Sequence, residues 1–418
     1  MTAAGRPNFR TRTVWTGDNL DILRGINSES VDLIYLDPPF NSNKQYSAPV
    51  GSRAAGAAFK DTWTLDDVDE AWHGEIADRD PGLYAIIGAA GLAHSASMKS
   101  YLIMMAVRLL EMKRVLRPTG SIYLHCDPTA SHYLKTLMDA VFGVPRFRNE
   151  IVWSYRRWPS KQMNFQRMHD VILRYAKGDT VAWNQLYEPP SESYLRRFKG
   201  KTQVLDPDRP TRKLVVDKPT KGLPLRDVWT ISIIAGSSKE RLGYPTQKPL
   251  KLLDRIIRAS SNPGDMILDP FCGCATALVA AETLGRRWAG IDLSPLAVKL
   301  VGQRLRDHHG LFGEIIPRED IPKRSDLGKL PNYRTHRHTL YGRQEGVCNG
   351  CLVHFPFRNM TVDHVVSQSR GGSDHIENLQ LLCGACNSKK GGRPMEALVA
   401  DLLAEGIRNG DTYRSARR

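Results

Sequence analysis

A chain of 418 residues with 41% hydrophobic residues is long enough for two or three domains with cores of their own. Its 59 Lys and Arg against 44 Asp and Glu leave a formal charge of +15, which favours a polyanionic partner, nucleic acid first. No apolar run approaches the roughly 18 residues that span a membrane, and Met1-Thr2-Ala3-Ala4-Gly5-Arg6 has no apolar leader segment. The expectation is a soluble, cytoplasmic protein with no membrane partner.

Val14-Trp15-Thr16-Gly17-Asp18 reads as a short strand ending in a Gly-Asp turn, Asp21 to Ile26 as a short helix, and Val31 to Leu36 as a buried strand. That strand runs into Asp37-Pro38-Pro39-Phe40. Two prolines forbid the strand to continue and fix the turn. A carboxylate, two main-chain carbonyls and an aromatic face therefore share one rigid corner. Such a corner suits a flipped-out base with an exocyclic amine, whose lone pair is delocalised until acceptors draw on its two hydrogens. Asp37 and the Pro38 carbonyl are the candidate acceptors, and Phe40 the stacking ring. The plain alternative is a strand that ends in an Asp-Pro turn.

From Asn41 to about Gly91 the chain is rich in Ala, Gly, Ser and Asp, with Trp63 and Trp72 as its large anchors; it reads as a long loop, DNA-facing or merely inserted. Met98 to Leu116 has apolar residues at helical spacing and stops at Arg117-Pro118-Thr119-Gly120. Ser121 to Asp127 is then a strand and Ala130 to Phe142 a helix; His125, inside an apolar strand, reads as packed rather than catalytic. Two further strands are expected near Ile151-Val152-Trp153 and Val171 to Tyr175. Between 177 and 239 periodicity is lost, and cations interleave with rings (Trp183, Tyr187, Tyr194, Arg196, Arg197, Phe198). That pattern suits phosphate and base contacts, with a solvated variable domain as the alternative.

Alternation returns at Tyr244-Pro245-Thr246-Gln247-Lys248-Pro249, followed by an amphipathic helix through Leu252, Leu253, Ile256 and Ile257. The strand ending Asp269-Pro270-Phe271-Cys272-Gly273, a helix, and a strand ending in Asp292 form a βαβ unit. A terminal carboxylate at this spacing can take ribose hydroxyls.

With Asp37-Pro38-Pro39-Phe40, Thr246-Gln247-Lys248-Pro249 and Asp269-Pro270-Phe271-Cys272-Gly273 in this order, residues 13 to 308 resemble the permuted, β-class DNA amino-methyltransferases. The resemblance implies a Rossmann-like α/β sheet, S-adenosylmethionine as methyl donor and double-stranded DNA as substrate. By position, Asp37, Pro38, Pro39 and Phe40 would hold the target base. Asp269, Phe271 and Gly273 would line the methionine part of the cofactor, Asp292 would take its ribose and Asp18 would lie near its adenine. Lys248 and Pro249 would open the helix that closes over it. The family usually has glycine where Ala275 stands, so a methyl group there would crowd the cofactor. An acidic first residue in the tetrapeptide favours adenine N6 over cytosine N4.

Beyond residue 312 the α/β pattern stops. Residues 313–344 are charged and weakly periodic, as a linker or extended arm would be. Cys348-x-x-Cys351 and Cys383-x-x-Cys386 then mark a structural tetrathiolate zinc. Between and after these knuckles lie Asp363-His364, Asn378 and Asn387, and residues 345 to 395 resemble the zinc-containing HNH endonucleases, a ββα-metal fold. The resemblance implies His364 as general base, Asp363 and Asn387 as magnesium ligands and Asn378 as a brace for the loop that orients His364. The expected organisation is a methyltransferase catalytic half (1–176), a target recognition region (177–239), a cofactor half (240–312), a linker (313–344) and a nuclease domain (345–418). The expected function is modification and restriction of DNA by one chain. The alternative is an orphan adenine or cytosine-N4 methyltransferase whose zinc-stapled module only binds DNA; an RNA substrate is disfavoured by the HNH module. A homodimer is left open.

Overall fold

A computed structural model of the chain describes residues 5–39, 44–47, 58–61, 76, 80–158, 161, 163–244, 246–309, 314–326, 332–370, 372, 374 and 376–408. Nine strands form one sheet: β1 (Thr13–Thr16), β2 (Val31–Leu36), β3 (Leu116–Cys126), β4 (Phe147–Ser154), β5 (His169–Ala176), β6 (Val228–Thr230), β7 (Met266–Asp269), β8 (Arg287–Asp292) and β9 (Ile316–Arg318). Their spatial order is β6-β4-β5-β3-β2-β7-β8-β1-β9. Every neighbouring pair is parallel except those made by β5, which runs antiparallel to β3 and β4.

The run Val31–Leu36 is buried at all six positions, as a parallel strand covered on both faces requires. Ile34, Leu36, Ile122, Leu124 and Leu268 enter a core shared with α1 (Asn19–Gly25), α2 (Pro81–Ala93), α3 (Ala96–Val115) and α4 (Ser131–Phe142). Leu33, Tyr35, Tyr123, Ile267 and Trp288 enter the opposite core, shared with α5 (Leu250–Ser260), α6 (Thr276–Thr283) and α7 (Pro295–His309). The result is a three-layer α/β/α sandwich. Its topology matters for function. Strands β2, β7, β8 and β1 are consecutive in space and parallel. Their carboxyl ends therefore gather Asp37, Asp269, Asp292 and Gly17-Asp18 along one edge, where doubly wound sheets bind ligands.

Three expectations change. The 41–91 stretch is not all loop. Asp80 accepts the Leu83 amide at 2.9 Å and Pro81 opens α2, whose Leu83, Ile87 and Ala90 face the core. Small residues there build a tightly packed helix, which composition alone cannot tell from a loop. Strands Lys44–Ser47 and Ala58–Asp61 also pair as a hairpin; Trp63 and Trp72 lie outside the described residues. The second change is in 177–239. This region holds a helix (Glu192–Phe198) and a hairpin (Lys201–Asp206 with Arg209–Pro219), and it returns β6 to the main sheet beside β4.

The third change is the linker, whose described part is stitched down. Residues of β9 pair with β1. Beyond it, Ser28 donates its amide to Asp326 Oδ2 at 2.8 Å, Asn27 Nδ2 donates to Ser325 Oγ at 2.9 Å, and Asn8 Nδ2 donates to the Lys323 carbonyl at 2.7 Å. Polar side chains spend themselves on backbone groups here, so no hydrophobic period announces the contact. The helix α8 (Arg337–Arg343) already belongs to the C-terminal module, whose core joins Leu340 and Tyr341 to Cys348, Met360 and Leu381. That module continues with β10 (Met360–His364), β11 (Leu379–Cys383), α9 (Gly384–Lys390) and α10 (Met395–Ala404).

The strap leaves no room at Gly25, where an added Cβ would sit 2.1 Å from the Pro322 carbonyl oxygen. Alanine normally improves a helix by roughly 1 kcal/mol over glycine. Here overpacking reverses the sign: Gly25→Ala is expected to cost about 2 kcal/mol in urea unfolding and to speed proteolytic cleavage within residues 313–331.

Candidate active sites in the sheet cleft and the C-terminal module

Asp18, Asp37, Pro38, Pro39, Lys248, Asp269, Phe271, Gly273 and Asp292 line one cleft of about 690 Å³ at the carboxyl edge of the sheet. Pro249 lies beside it as the buried N-cap residue of α5. Phe40 falls outside the described residues.

Asp37 has two unlike oxygens. Its Oδ2 accepts Lys248 Nζ at 2.5 Å, from side chains only 16% and 8% exposed. Its Oδ1 is buried and has no hydrogen-bond partner among the described residues. A buried acceptor without a donor costs about 1–3 kcal/mol, so the corner is built for an N–H or O–H it does not itself contain.

The other carboxylates are fixed by the turns that follow their strands. Asp269, 3% exposed, accepts the Phe271 amide at 3.1 Å. Burial, with the charges of Asp37 and Asp292, pushes its carboxyl well above the ordinary range despite that amide. Asp292 accepts the Gly273 amide through Oδ2 at 2.8 Å and the Ser294 amide through Oδ1 at 2.9 Å; burial raises it as well. Asp18 caps α1 through the Leu20 amide at 2.8 Å and pairs with Arg108 Nη2 at 2.8 Å. Arg108 also donates to Asn19 Oδ1 at 2.6 Å, and Asn19 donates to the Pro270 carbonyl at 2.7 Å. Four carboxylates around one small cleft favour a ligand that carries positive charge.

The turn after β7 explains two small residues. Gly273 adopts φ +48°, and a Cβ there would lie 3.2 Å from the Tyr244 ring. Ala275 adopts φ 65° and ψ 31° at the N-cap of α6. Its methyl group does not crowd the cleft: it is fully buried in the core on the α5–α6 side and is absent from the cleft lining. What glycine would provide is the left-handed backbone, which costs alanine about 1–2 kcal/mol; burying the methyl offsets roughly 0.8 kcal/mol of that.

In the C-terminal module the Sγ atoms of Cys348, Cys351, Cys383 and Cys386 all lie within 4.8 Å of one another and all four residues are buried. A tetrahedral metal–thiolate centre, with metal–sulfur bonds of roughly 2.3 Å, needs sulfurs about 3.8 Å apart, so the cluster has the right chemistry and scale. The nuclease-motif residues meet where α9 crosses the end of β10. Wholly buried Lys390 donates to the His364 carbonyl at 2.7 Å and pairs with Asp363 Oδ2 at 3.1 Å. Gln380 Nε2 donates to the same Asp363 oxygen at 2.9 Å. Asn387 precedes Lys390 by one helical turn and so shares its face. His364 Nε2 lies 2.7 Å from Asp374 Oδ1, and its ring packs 4.7 Å from that of Tyr333. Asn378 accepts the Val366 amide at 2.9 Å and donates to the Val366 carbonyl at 3.0 Å, closing the turn after His364.

Sequence reading missed Arg108, Tyr244, Lys390, Gln380 and Asp374. No motif marks them. Each enters its site through a tertiary contact, although Lys390 falls within the Asn387-Ser388-Lys389-Lys390-Gly391 segment that drew attention to Asn387.

Removing the Lys248 ammonium would strand the Asp37 charge in a nearly closed corner. Lys248→Met is expected to cost roughly 3 kcal/mol in denaturant unfolding, and Lys248→Met with Asp37→Asn to regain most of it.

Comparison with known proteins places both parts of the chain in families. Residues 31–303 match the family model described as DNA methylase, and residues 348–393 match that described as HNH endonuclease. The Type II methyltransferase M.EcaI of Enterobacter cloacae is 28% identical over 382 residues, covering 78% of this chain and 75% of that protein. The DNA adenine methyltransferase YhdJ of Escherichia coli strain K12 is 26% identical over 302 residues, covering 70% of this chain and 82% of that protein. Among solved structures, TTHA0409 of Thermus thermophilus in complex with S-adenosyl-L-methionine superposes with a TM-score of 0.43 at 17% identity, over 74% of this chain and 98% of that one. The chain belongs to the N6/N4 DNA methylase family and carries an HNH domain at its C-terminal side.

Proposed function

We propose that the sheet cleft methylates the exocyclic N6 amine of adenine in duplex DNA with S-adenosylmethionine, and that the HNH domain cuts DNA with a divalent cation. The observation that carries the first half is the buried, unpartnered Asp37 Oδ1 beside the rigid Pro38-Pro39 turn. In this reading Oδ1 accepts one amine hydrogen and the Pro38 carbonyl the other, which localises the nitrogen lone pair for attack. Lys248 holds Oδ2 and so keeps the carboxylate oriented. Phe40 stacks on the base.

The cofactor supplies a methyl group on a positively charged sulfur. The four carboxylates and the roughly 690 Å³ cleft fit such a cationic, nucleoside-sized molecule. Asp269, Phe271 and Gly273 would hold its methionine part, Asp292 the ribose hydroxyls and Asp18 the adenine side. Residues 177–239, with exposed Lys and Arg, would read the DNA site. The reading within the family as adenine N6 rests on Asp37 as first residue of the tetrapeptide.

In the HNH domain, the Cys348, Cys351, Cys383 and Cys386 sulfurs suit zinc, which would staple the fold. Asp363 and Asn387 offer oxygen donors of the kind magnesium takes, with water and phosphate completing its shell. Lys390 pairs with Asp363 and fixes its orientation, and His364, oriented by Asp374, is the candidate base for the attacking water.

The decisive experiment is transfer of labelled methyl groups to duplex DNA. Asp37→Ala is expected to lower single-turnover transfer by at least about 100-fold with cofactor binding retained; undiminished transfer would remove Asp37 from the mechanism, and label recovered as N4-methylcytosine would change the target. Cofactor affinity should fall as pH drops, because a cation favours ionised Asp269, whose carboxyl is raised by burial in the free protein; binding then releases a proton, and Asp269→Asn should flatten the profile.

Cleavage is tested separately, on unmethylated and premethylated duplex in magnesium. His364→Ala should abolish it, and stripping zinc with a chelator should unfold the domain in near-ultraviolet circular dichroism. Retained DNA binding with no cutting by the unaltered protein would make the domain a binding element only.

A further inference from the structure

Beneath the Asp37 corner runs a buried chain of hydrogen bonds that the reading above leaves unused. Tyr35, which lines the cleft and is 2% exposed, places its hydroxyl 2.9 Å from His125 Nδ1. His125, wholly buried, places Nε2 3.2 Å from Asp170 Oδ2. Tyr155 donates its hydroxyl to Asp170 Oδ1 at 2.9 Å, and Arg157 donates to the Tyr155 oxygen at 3.3 Å. The chain crosses β2, β3 and β5 and ends at Asp170, which is not fully enclosed. The Trp153 ring packs edge-on 5.6 Å from the imidazole and holds its plane.

The direction of these bonds follows from chemistry. Burial would raise the Asp170 carboxyl, but the hydrogen bonds it accepts from His125 Nε2 and the Tyr155 hydroxyl, with the Lys248 charge, outweigh it and bring it down. An ionised carboxylate only accepts, so His125 Nε2 carries the hydrogen and, in the neutral ring, Nδ1 is left as acceptor. Tyr35 must therefore give its hydrogen to Nδ1, which leaves its oxygen lone pairs as acceptors. Burial, then the charges of Asp37, Asp269 and Asp170, hold the Tyr35 phenol well above its ordinary value, so it conducts a proton as a neutral hydroxyl. Titratable and charged groups near His125 include Tyr35 and Asp170 in contact, Tyr155 and Asp127 beside Asp170, and Asp37 and Lys248 on the cleft side.

We propose that Tyr35, His125 and Asp170 form the relay that removes the proton released when the target amine is methylated; the proposal rests on the methyl-transfer reading. As the nitrogen–carbon bond forms, the carbon–sulfur bond breaks and its electrons remain on a neutral thioether. The amine N–H electrons stay on nitrogen, its proton passes to the Tyr35 oxygen, and the original Tyr35 proton passes to His125 Nδ1. The product is an imidazolium paired with Asp170; once the methylated base leaves, Nδ1 returns its proton to the Tyr35 oxygen as Tyr35 releases its newly gained proton to water in the cleft, which restores the starting tautomer. Passage of the proton through Tyr35 leaves the Asp37–Lys248 pair, 2.5 Å apart, intact through the reaction. Tyr35 is the catalytic member, while His125 and Asp170 act through it.

The test uses the full chain with Tyr35→Phe, Asp170→Asn and both together. Single-turnover methyl transfer is followed across pH in water and heavy water, alongside cofactor and DNA dissociation constants. Imidazole nitrogen NMR of the DNA-free protein reads the His125 tautomer without any turnover. Each single variant is expected to transfer roughly 100-fold more slowly with binding constants within about two-fold, and the double variant no more slowly than either. The hydrogen should sit on Nε2 in the unaltered protein and shift towards Nδ1 in Asp170→Asn. Transfer within about three-fold of the unaltered protein in both single variants at every pH, or a hydrogen on Nδ1 in the unaltered protein, overturns the relay. If the unaltered protein transfers no methyl group while its tautomer is as expected, the methyl-transfer reading falls and takes the relay with it.

Discussion

The cleft depends on one constraint: a carboxylate must stay charged at the end of a buried parallel strand while one of its oxygens remains open. The strand alone would not permit it, because burying an ionised group without compensation costs several kcal/mol. Lys248 supplies the compensation through Oδ2, from a segment more than two hundred residues away in the chain. The proline pair then fixes where Oδ1 points. Much of the surrounding architecture can be understood as holding these two segments together: β2 and β7 are neighbours in the sheet, and α5, which follows Lys248-Pro249, packs its Leu252, Leu253, Ile256 and Ile257 beneath that sheet.

The same logic extends to the other three carboxylates, which are stabilised by different means. Asp18 is neutralised by Arg108, Asp292 is held by two backbone amides, and Asp269 has a single amide and the deepest burial. The cleft therefore contains a graded set, from a fully paired acid to one whose ionised form is poorly supported until a cation arrives. A ligand with a positive centre is favoured where the protein's own compensation is weakest.

How much of this the sequence discloses depends on where each signal resides. Strands β2, β7 and β8 are legible as short continuous apolar runs that end at turn residues, and helices α3 and α5 by their period of 3.6 residues. The Asp37, Asp269 and Asp292 positions are legible because a strand end followed by Pro or Gly is local chemistry. Tyr35 looks like any other residue of an apolar strand, and His125 like a packed histidine, which it is; what neither can disclose is that registers of three strands bring Tyr35, His125 and Asp170 into line. Helix α2 is illegible because Ala and Gly can pack a helix closely or fill a loop. The strap at 314–326 is illegible because its contacts are made by backbone groups and polar side chains, which leave no hydrophobic pattern. Ala275 shows the converse: a departure from the family's glycine is visible, but its consequence is backbone strain at φ 65° rather than a blocked cleft.

The strap also decides how the two modules relate. A free linker from 313 to 344 would let the HNH domain search a wide volume. Instead β9 and the Ser325 and Asp326 contacts tie the chain to the methylase domain as far as residue 326, and Arg343 of α8 pairs with Asp21 of α1 at 3.1 Å. Between Asp326 and Asn332 there are six peptide steps, which at about 3.5 Å each reach no more than roughly 20 Å. Helix α1 is the shared element: its N-cap Asp18 lines the cleft, Asp21 meets the C-terminal module and Gly25 abuts the strap. The strap therefore confines the C-terminal module to the neighbourhood of the methylase domain, with α1 as the element that touches both.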